Sequence, residues 1–284
     1  MTQHTVTHAA AADGTMLAVR TIDGDGPLIV GLHGFTGDGS TLLPLLDAAR
    51  DGRPVMAPDI VGHGESGVPE HTEPYTMASV VDQVLSLIGP RPPGSVHLVG
   101  YSMGGRIALS IAARAPWYFA SITTISASPG IADPRDRAER ATQDDKLASR
   151  LEQIGLDAFV DEWLALPLFS SYVDSLDDEA LAATVTQRRS NAIAGLASSL
   201  RGTGTGSMPP VWDALGSLRS PLMTVAGSLD AKYVDIATQM AERAPNGAVR
   251  IIEGAGHVVH AEKPVDMSTL LGEFLPSCER AWDE

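Results

Sequence analysis

The chain has 284 residues, enough for one large α/β domain or two small ones around a substantial core. It is 44% hydrophobic and 19% charged, with no apolar run approaching a membrane span, which predicts a soluble globular protein. The net charge of −15 disfavours sequence-independent binding to nucleic acid or to an anionic membrane, but a local cluster of arginines would still admit a small anionic substrate. Cys278 is the single cysteine, so no internal disulfide can form, and MTQHTVTHAAAADG lacks the cationic patch and apolar core of a signal peptide. A cytoplasmic location is the expectation.

In chain order, segments around 5–9 and 15–22 with Asp13-Gly14 between them read as an antiparallel hairpin at a sheet edge. LIVGLHG (28–34) is a continuous apolar run ending in glycine, followed by a helical pattern around 41–50. PVMAPDI (54–60) precedes a helical pattern at 76–88, and SVHLVGYS (95–102) precedes one at 103–114. SITTISA (121–127), PLMTVAG (221–227) with a helix at 233–244, and VRIIEGAGH (249–257) with a helix at 265–275 complete the series. Apolar strands alternating with helices predict a mostly parallel sheet with helices on both faces. The interval 128–215 breaks the alternation, with helical patterns and no convincing strand. It reads as a helical cap over the C-terminal ends of the strands, where open α/β sheets bind ligands, leaving 1–127 and 216–284 as the core. GTGTGS (202–207) within it reads as a mobile segment.

Gly100-Tyr101-Ser102-Met103-Gly104 sits between a predicted strand and a predicted helix, the context of a nucleophile elbow. A serine hydroxyl is a weak nucleophile until another group takes its proton. His257 follows the last strand and fits that role; His260, three residues on, reads as a local hydrogen-bonding residue. Asp230 follows the preceding strand, whereas Asp213 lies before it and Asp235 within the next helix. The order Ser102, Asp230, His257 is that of an α/β-hydrolase triad. His33-Gly34-Phe35 ends the first buried strand, which would put the Phe35 N–H beside that of Met103 in an oxyanion hole. The glycines around His63 in Asp59-x-x-Gly62-His63-Gly64 read as loop geometry. Metal-ligand spacings and nucleotide-binding glycine loops are not found, so neither a metal nor another cofactor is expected.

Arg106 stands one helical turn after Ser102, so both side chains can share a face. A guanidinium fork suits carboxylates and has no use in the hydrolysis of a neutral ester. Further arginines, Arg135, Arg137, Arg140, Arg188, Arg189 and Arg201, fall in the cap of this acidic chain, while Arg150 reads as a surface pair. GYSMGGR, RAER (137–140), FVDEWLALPLF (159–169), RRSNAIAGLASSLRGTGTG (188–206), PPVWDAL (209–215) and GSLDAKY (227–233) together resemble the MenH family. These are the 2-succinyl-6-hydroxy-2,4-cyclohexadiene-1-carboxylate synthases of menaquinone biosynthesis, and the resemblance runs from LHGFTG (32–37) to GAGHVVHAEKP.

The resemblance implies an α/β-hydrolase fold and a lyase acting on a tricarboxylate without a cofactor. Arg106, with Arg140 and Arg189 from the cap, would hold the carboxylates, and Tyr101 and Trp163 would line the pocket. Arg137 and Arg188 are the alternatives to their close neighbours, and Lys232 beside the acid is a weaker candidate. Ser102, deprotonated by His257, would remove a ring proton, and the oxyanion hole would stabilise an enolate while pyruvate leaves. The rival readings are a carboxylesterase or C–C bond hydrolase acting on another anionic substrate, and a non-catalytic ligand-binding protein on the same scaffold. The oligomeric state is left open.

Overall fold

The computed structural model describes residues 4–283; residues 1–3 of the segment read for a signal peptide, and residue 284, lie outside the described residues. The chain opens with β1 (Thr5–Ala10) and β2 (Met16–Ile22), paired antiparallel. Asp13 Oδ1 accepts from the Thr15 N–H at 2.9 Å and Gly14 takes φ +85°, which closes the hairpin turn. There follow β3 (Leu28–Leu32), α1 (Leu43–Ala49), β4 (Val55–Pro58), α2 (Met77–Ile88), β5 (Val96–Tyr101), α3 (Met103–Arg114) and β6 (Ser121–Ile125). Between β6 and the next strand the chain carries α4 (Pro134–Ile154), α5 (Leu156–Leu164), α6 (Ser170–Asp174), α7 (Asp178–Arg189), α8 (Ile193–Thr203) and α9 (Trp212–Leu215). It closes with β7 (Leu222–Gly227), α10 (Ala231–Arg243), β8 (Gly247–Ile252), α11 (Val259–Glu262) and α12 (Pro264–Asp283).

The eight strands form one sheet in the order β1-β2-β4-β3-β5-β6-β7-β8, parallel from β4 to β8. Strands β3, β5, β6 and β7 are buried at every position because both faces are covered. Alternation along β3 sends Leu28, Val30 and Leu32 to one face, against Val80 and Val84 of α2 and Ile107 and Ile111 of α3. Ile29 points to the other face, with Leu46 of α1 and Leu271 and Leu275 of α12. A third, smaller core joins Ala148 and Leu151 of α4, Phe159 of α5, and Leu196 and Leu200 of α8.

Two sequence expectations move. The last strand stops at Ile252, and residues 253–258 form a turn that delivers His257. The last helix, expected to end before Pro276, continues through it to Asp283. No described helix is long and apolar enough to cross a membrane.

Candidate active site

At the end of β5 the backbone turns sharply: Ser102 sits at φ +50°, ψ −108°, and α3 begins at Met103. A non-glycine residue there is strained, and its neighbours explain how the turn closes. A Cβ on Gly104 would run into the Leu32 carbonyl, and one on Gly100 into the Gly104 carbonyl. The glycines thus let α3 approach the strands while the serine hydroxyl stands above the sheet. The Ser102 N–H donates to the Ile125 carbonyl at 2.8 Å, tying the turn to β6.

His257 lies beyond β8 and is 2% exposed. Its Nδ1 is 2.7 Å from Asp230 Oδ2, and its Nε2 is 3.2 Å from Ser102 Oγ. With Nδ1–H donating to the carboxylate, Nε2 is left to accept the serine proton. Glu262 fixes the turn on either side of the histidine, accepting from the Gly256 N–H at 2.8 Å and the Val258 N–H at 2.9 Å. The rings of Tyr233, Tyr101 and Phe169 surround the imidazole at centroid distances of 4.7, 5.6 and 6.0 Å. Asp230 ends the turn after β7 and precedes α10, so the three side chains come from three strand ends.

Phe35 and Met103 both line the cavity above Ser102. Among the described residues, neither backbone N–H donates to a protein acceptor, so both donors are left unpaired at the cavity. His33 braces the Phe35 loop. Its Nε2 accepts from the Ile60 N–H at 2.9 Å, which leaves Nδ1–H to donate to the Gly34 carbonyl at 2.8 Å, and burial lowers its pKa. His63 is buried against His33 and Phe35, outside the cavity wall.

The cavity encloses about 220 Å³ between the strand ends and helices α4, α5, α7 and α8. Arg106 lies in its wall and donates to the Thr203 carbonyl, without an ion-pair partner among the described residues. Desolvation brings its pKa down to about 10. Arg140 also reaches the cavity and is held by Asp144, Nε to Oδ1 at 2.7 Å. Tyr101 and Trp163 line it as expected from the resemblance, and Lys232 stands at its edge. The indole N–H of Trp163 is buried without an acceptor.

Arg189 requires a correction. It faces outward and pairs with Asp161 at 2.7 Å and Asp157 at 3.5 Å, and it is not in the cavity wall. Its neighbour Arg188 is there instead, 8% exposed, with Nη1 2.5 Å from Thr36 Oγ1, Nε lacking an acceptor, and its pKa lowered by burial. Consecutive helical residues point about 100° apart, so both cannot face the site. His260 also departs from its reading as a local hydrogen-bonding residue: Nδ1 has no partner, and the ring packs 4.5 Å from that of Tyr101. Burial, with charge from His257 and Arg188, lowers its pKa to about 3. In GTGTGS the glycines serve close packing, since a Cβ on Gly204 would meet the Leu200 carbonyl and one on Gly206 the Ala141 N–H. Asp144, Tyr233 and Phe169 also line the cavity and were not singled out from the sequence; the spacing of Arg140 and Asp144 as an i,i+4 pair was the available signal for one of them.

The sheet and the Ser102–His257–Asp230 geometry are those of an α/β hydrolase, and residues 29–268 match the alpha/beta hydrolase family model. Over 270 residues the chain is 34% identical to a Bacillus subtilis protein provisionally named 2-succinyl-6-hydroxy-2,4-cyclohexadiene-1-carboxylate synthase, covering 94% of this chain and 97% of the relative. It is 28% identical over 264 residues to the synthase of that name from Serratia proteamaculans, covering 92% and 98%. The solved structure of MenH from S. aureus superposes with a TM-score of 0.85 at 31% identity, covering 92% of this chain and 98% of that one. The chain belongs to the 2-succinyl-6-hydroxy-2,4-cyclohexadiene-1-carboxylate synthase (MenH) family, whose members are lyases on the α/β-hydrolase fold.

Proposed function

We propose that the chain eliminates pyruvate from 2-succinyl-5-enolpyruvyl-6-hydroxy-3-cyclohexene-1-carboxylate to give 2-succinyl-6-hydroxy-2,4-cyclohexadiene-1-carboxylate in menaquinone biosynthesis. The observation that carries this reading is the pair of guanidiniums, Arg106 and Arg188, facing the Ser102 cavity without carboxylate partners among the described residues. Cations desolvated in this way are costly in the empty protein and are matched by an anionic ligand. Arg140, already held by Asp144, would supply the third contact to a substrate with three carboxylates.

The substrate hydrogen at ring carbon 2 is acidic because it lies next to the succinyl ketone. Ser102 loses its proton to His257 Nε2 and takes this hydrogen, and Asp230 stabilises the resulting imidazolium. The electron pair passes to the ketone oxygen, where the Phe35 and Met103 N–H groups donate to the enolate. Its return shifts the ring double bond from carbons 3,4 to 2,3 and 4,5, breaks the carbon 5–oxygen bond and expels the enolate of pyruvate. That enolate takes the His257 imidazolium proton at its methylene carbon, so His257 returns to its starting state, as Ser102 already has with the ring hydrogen. No covalent enzyme intermediate forms, which separates this course from an esterase or C–C hydrolase using the same three residues.

Pyruvate release, followed through a coupled NADH-dependent dehydrogenase and corrected for spontaneous elimination, tests the reading. Enzyme-dependent release that disappears in Ser102→Ala is expected. Background rates with a folded protein, or a trapped substrate acyl-enzyme, would overturn it; a Ser102→Ala variant with full function would favour a binding protein. A cytoplasmic location belongs to the same proposal, supported by the free, buried thiol of Cys278.

A further inference from the structure

The loop carrying the Phe35 N–H holds a conformation that its sequence resists. Thr36 is a fully buried β-branched residue at φ +65°, where its Cβ crowds the backbone. The Gly37 N–H donates to the Gly34 carbonyl at 3.0 Å across the turn, and further groups hold Thr36 from the end of α7 and just beyond it. Asn191 Nδ2 donates to the Thr36 carbonyl at 3.0 Å, Gln187 Nε2 to the same carbonyl at 3.4 Å, and Arg188 Nη1 to Thr36 Oγ1 at 2.5 Å. Asn191 is itself fixed: Oδ1 accepts from the Gly64 N–H at 2.9 Å, and Nδ2 also reaches the Arg188 carbonyl at 3.0 Å. This side chain, 6% exposed, bonds to the backbone of Thr36, Gly64 and Arg188 and is not itself in the cavity wall.

We propose that Asn191 is a positioning residue for the oxyanion hole. By holding the Thr36 carbonyl it keeps the left-handed turn, and the turn keeps the preceding Phe35 N–H unbonded and facing Ser102. Without the clamp Thr36 relaxes toward negative φ, and the Phe35 peptide rotates with it. The inference rests on the proposed role of Phe35 as an oxyanion donor. Arg188 bonds the same threonine while lining the cavity, so Thr36 joins the anion-binding wall to the donor that stabilises the enolate.

Two readouts separate this idea from the elimination itself. One is kcat for pyruvate release; the other is the rate at which a small neutral organophosphate, diisopropyl fluorophosphate, labels Ser102, a step that uses the same hole and no substrate carboxylate. Asn191→Ala should slow both by about 10- to 100-fold with KM within threefold, short of the loss from deleting a donor outright. Thr36→Gly in the Asn191→Ala background should restore both to within about fivefold of wild type, because glycine adopts φ +65° without strain. Recovery is the decisive result, since a residue that merely anchored α7 would not be rescued by a glycine on the opposite loop.

Unchanged labelling in Asn191→Ala, a change confined to KM, or failure of Thr36→Gly to recover the rate would each overturn the proposal. Slowed and rescued labelling in a protein that releases no pyruvate would uphold the positioning role and remove the elimination reading. Should Asn191→Ala not fold, Gln187→Ala removes one donor from the same carbonyl, with a two- to fivefold loss and the same rescue expected; no loss would count against the proposal.

Discussion

Replacing Arg106 with methionine keeps much of the side-chain volume and removes the charge, and it should make the protein more stable and nearly inactive. Burial lowers the guanidinium pKa to about 10. The folded chain therefore holds this proton less tightly than the unfolded chain, a cost of about 3 kcal/mol. The cost is fully present below pH 10 and is relieved as pH rises through that value, so it operates at neutral pH. Methionine removes it but leaves the Thr203 carbonyl without the Arg106 donor, at about 1–3 kcal/mol. The net gain is about 1 kcal/mol, or a rise in Tm of about 2 °C for a chain of 284 residues. On the tricarboxylate, loss of one charge-assisted contact in a desolvated wall removes about 3–4 kcal/mol, a 100- to 1000-fold fall in kcat/KM. Scanning fluorimetry and coupled pyruvate release measure the two sides, with hydrolysis of a neutral p-nitrophenyl ester as the control. A Tm lower by several degrees with kcat/KM within threefold of wild type would show that the guanidinium is structural and refute the reasoning. Equal losses on the neutral ester would refute the anion-binding role.

The neighbouring cap arginines should separate cleanly: Arg188→Met raises KM for the tricarboxylate by about 10- to 100-fold, whereas Arg189→Ala, cut from a surface pair, leaves kcat/KM within twofold. The reverse pattern would mean that α7 is rotated in solution. Gly104→Ala should abolish soluble expression or lower Tm by more than 10 °C, because its methyl group meets the Leu32 carbonyl in the middle of the sheet. Burial opposes the charge of Glu279, but hydrogen bonds from His97 and Arg53 outweigh it and bring the pKa down to about 2. An acid with a lowered pKa stabilises the fold above its unfolded value and loses that contribution as pH falls through about 2. Glu279→Gln should therefore lower stability at pH 7, measured by urea denaturation, and the difference from wild type should shrink steadily in acid; a difference independent of pH would exclude the ionic contribution.

The parallel sheet and the three reactive side chains are readable from the sequence because each leaves a local mark. Most buried strand positions are apolar, and Ser102 and Asp230 follow such strands closely, while His257 lies in the turn after β8. The cap is less legible. Helices α4 and α7 are polar over most of their length, and α7 buries Arg188 where an apolar residue would have marked the inward face, so periodicity could not choose between Arg188 and Arg189. Asn191 left no mark in the sequence, because nothing local shows that its amide crosses to Thr36 and Gly64. The glycines of GTGTGS suggested slack, although Gly202 and Gly206 pack against the backbone of Tyr75 and Ala141, residues distant in sequence.

Strands β6 and β7 are neighbours in the sheet, yet about a third of the chain separates them, and this has a consequence for folding. Closing so long a loop is entropically costly, so pairing of β6 with β7 is expected to follow the more local assembly of β3 to β6. The elbow of Ser102 belongs to the first group of strands, whereas Asp230 and His257 arrive with the second. In that order of assembly the serine would be shaped before it has a base and would gain reactivity when the two halves of the sheet join. An incompletely folded chain carries a bent but inert hydroxyl, so chemistry at this site reports completion of the fold.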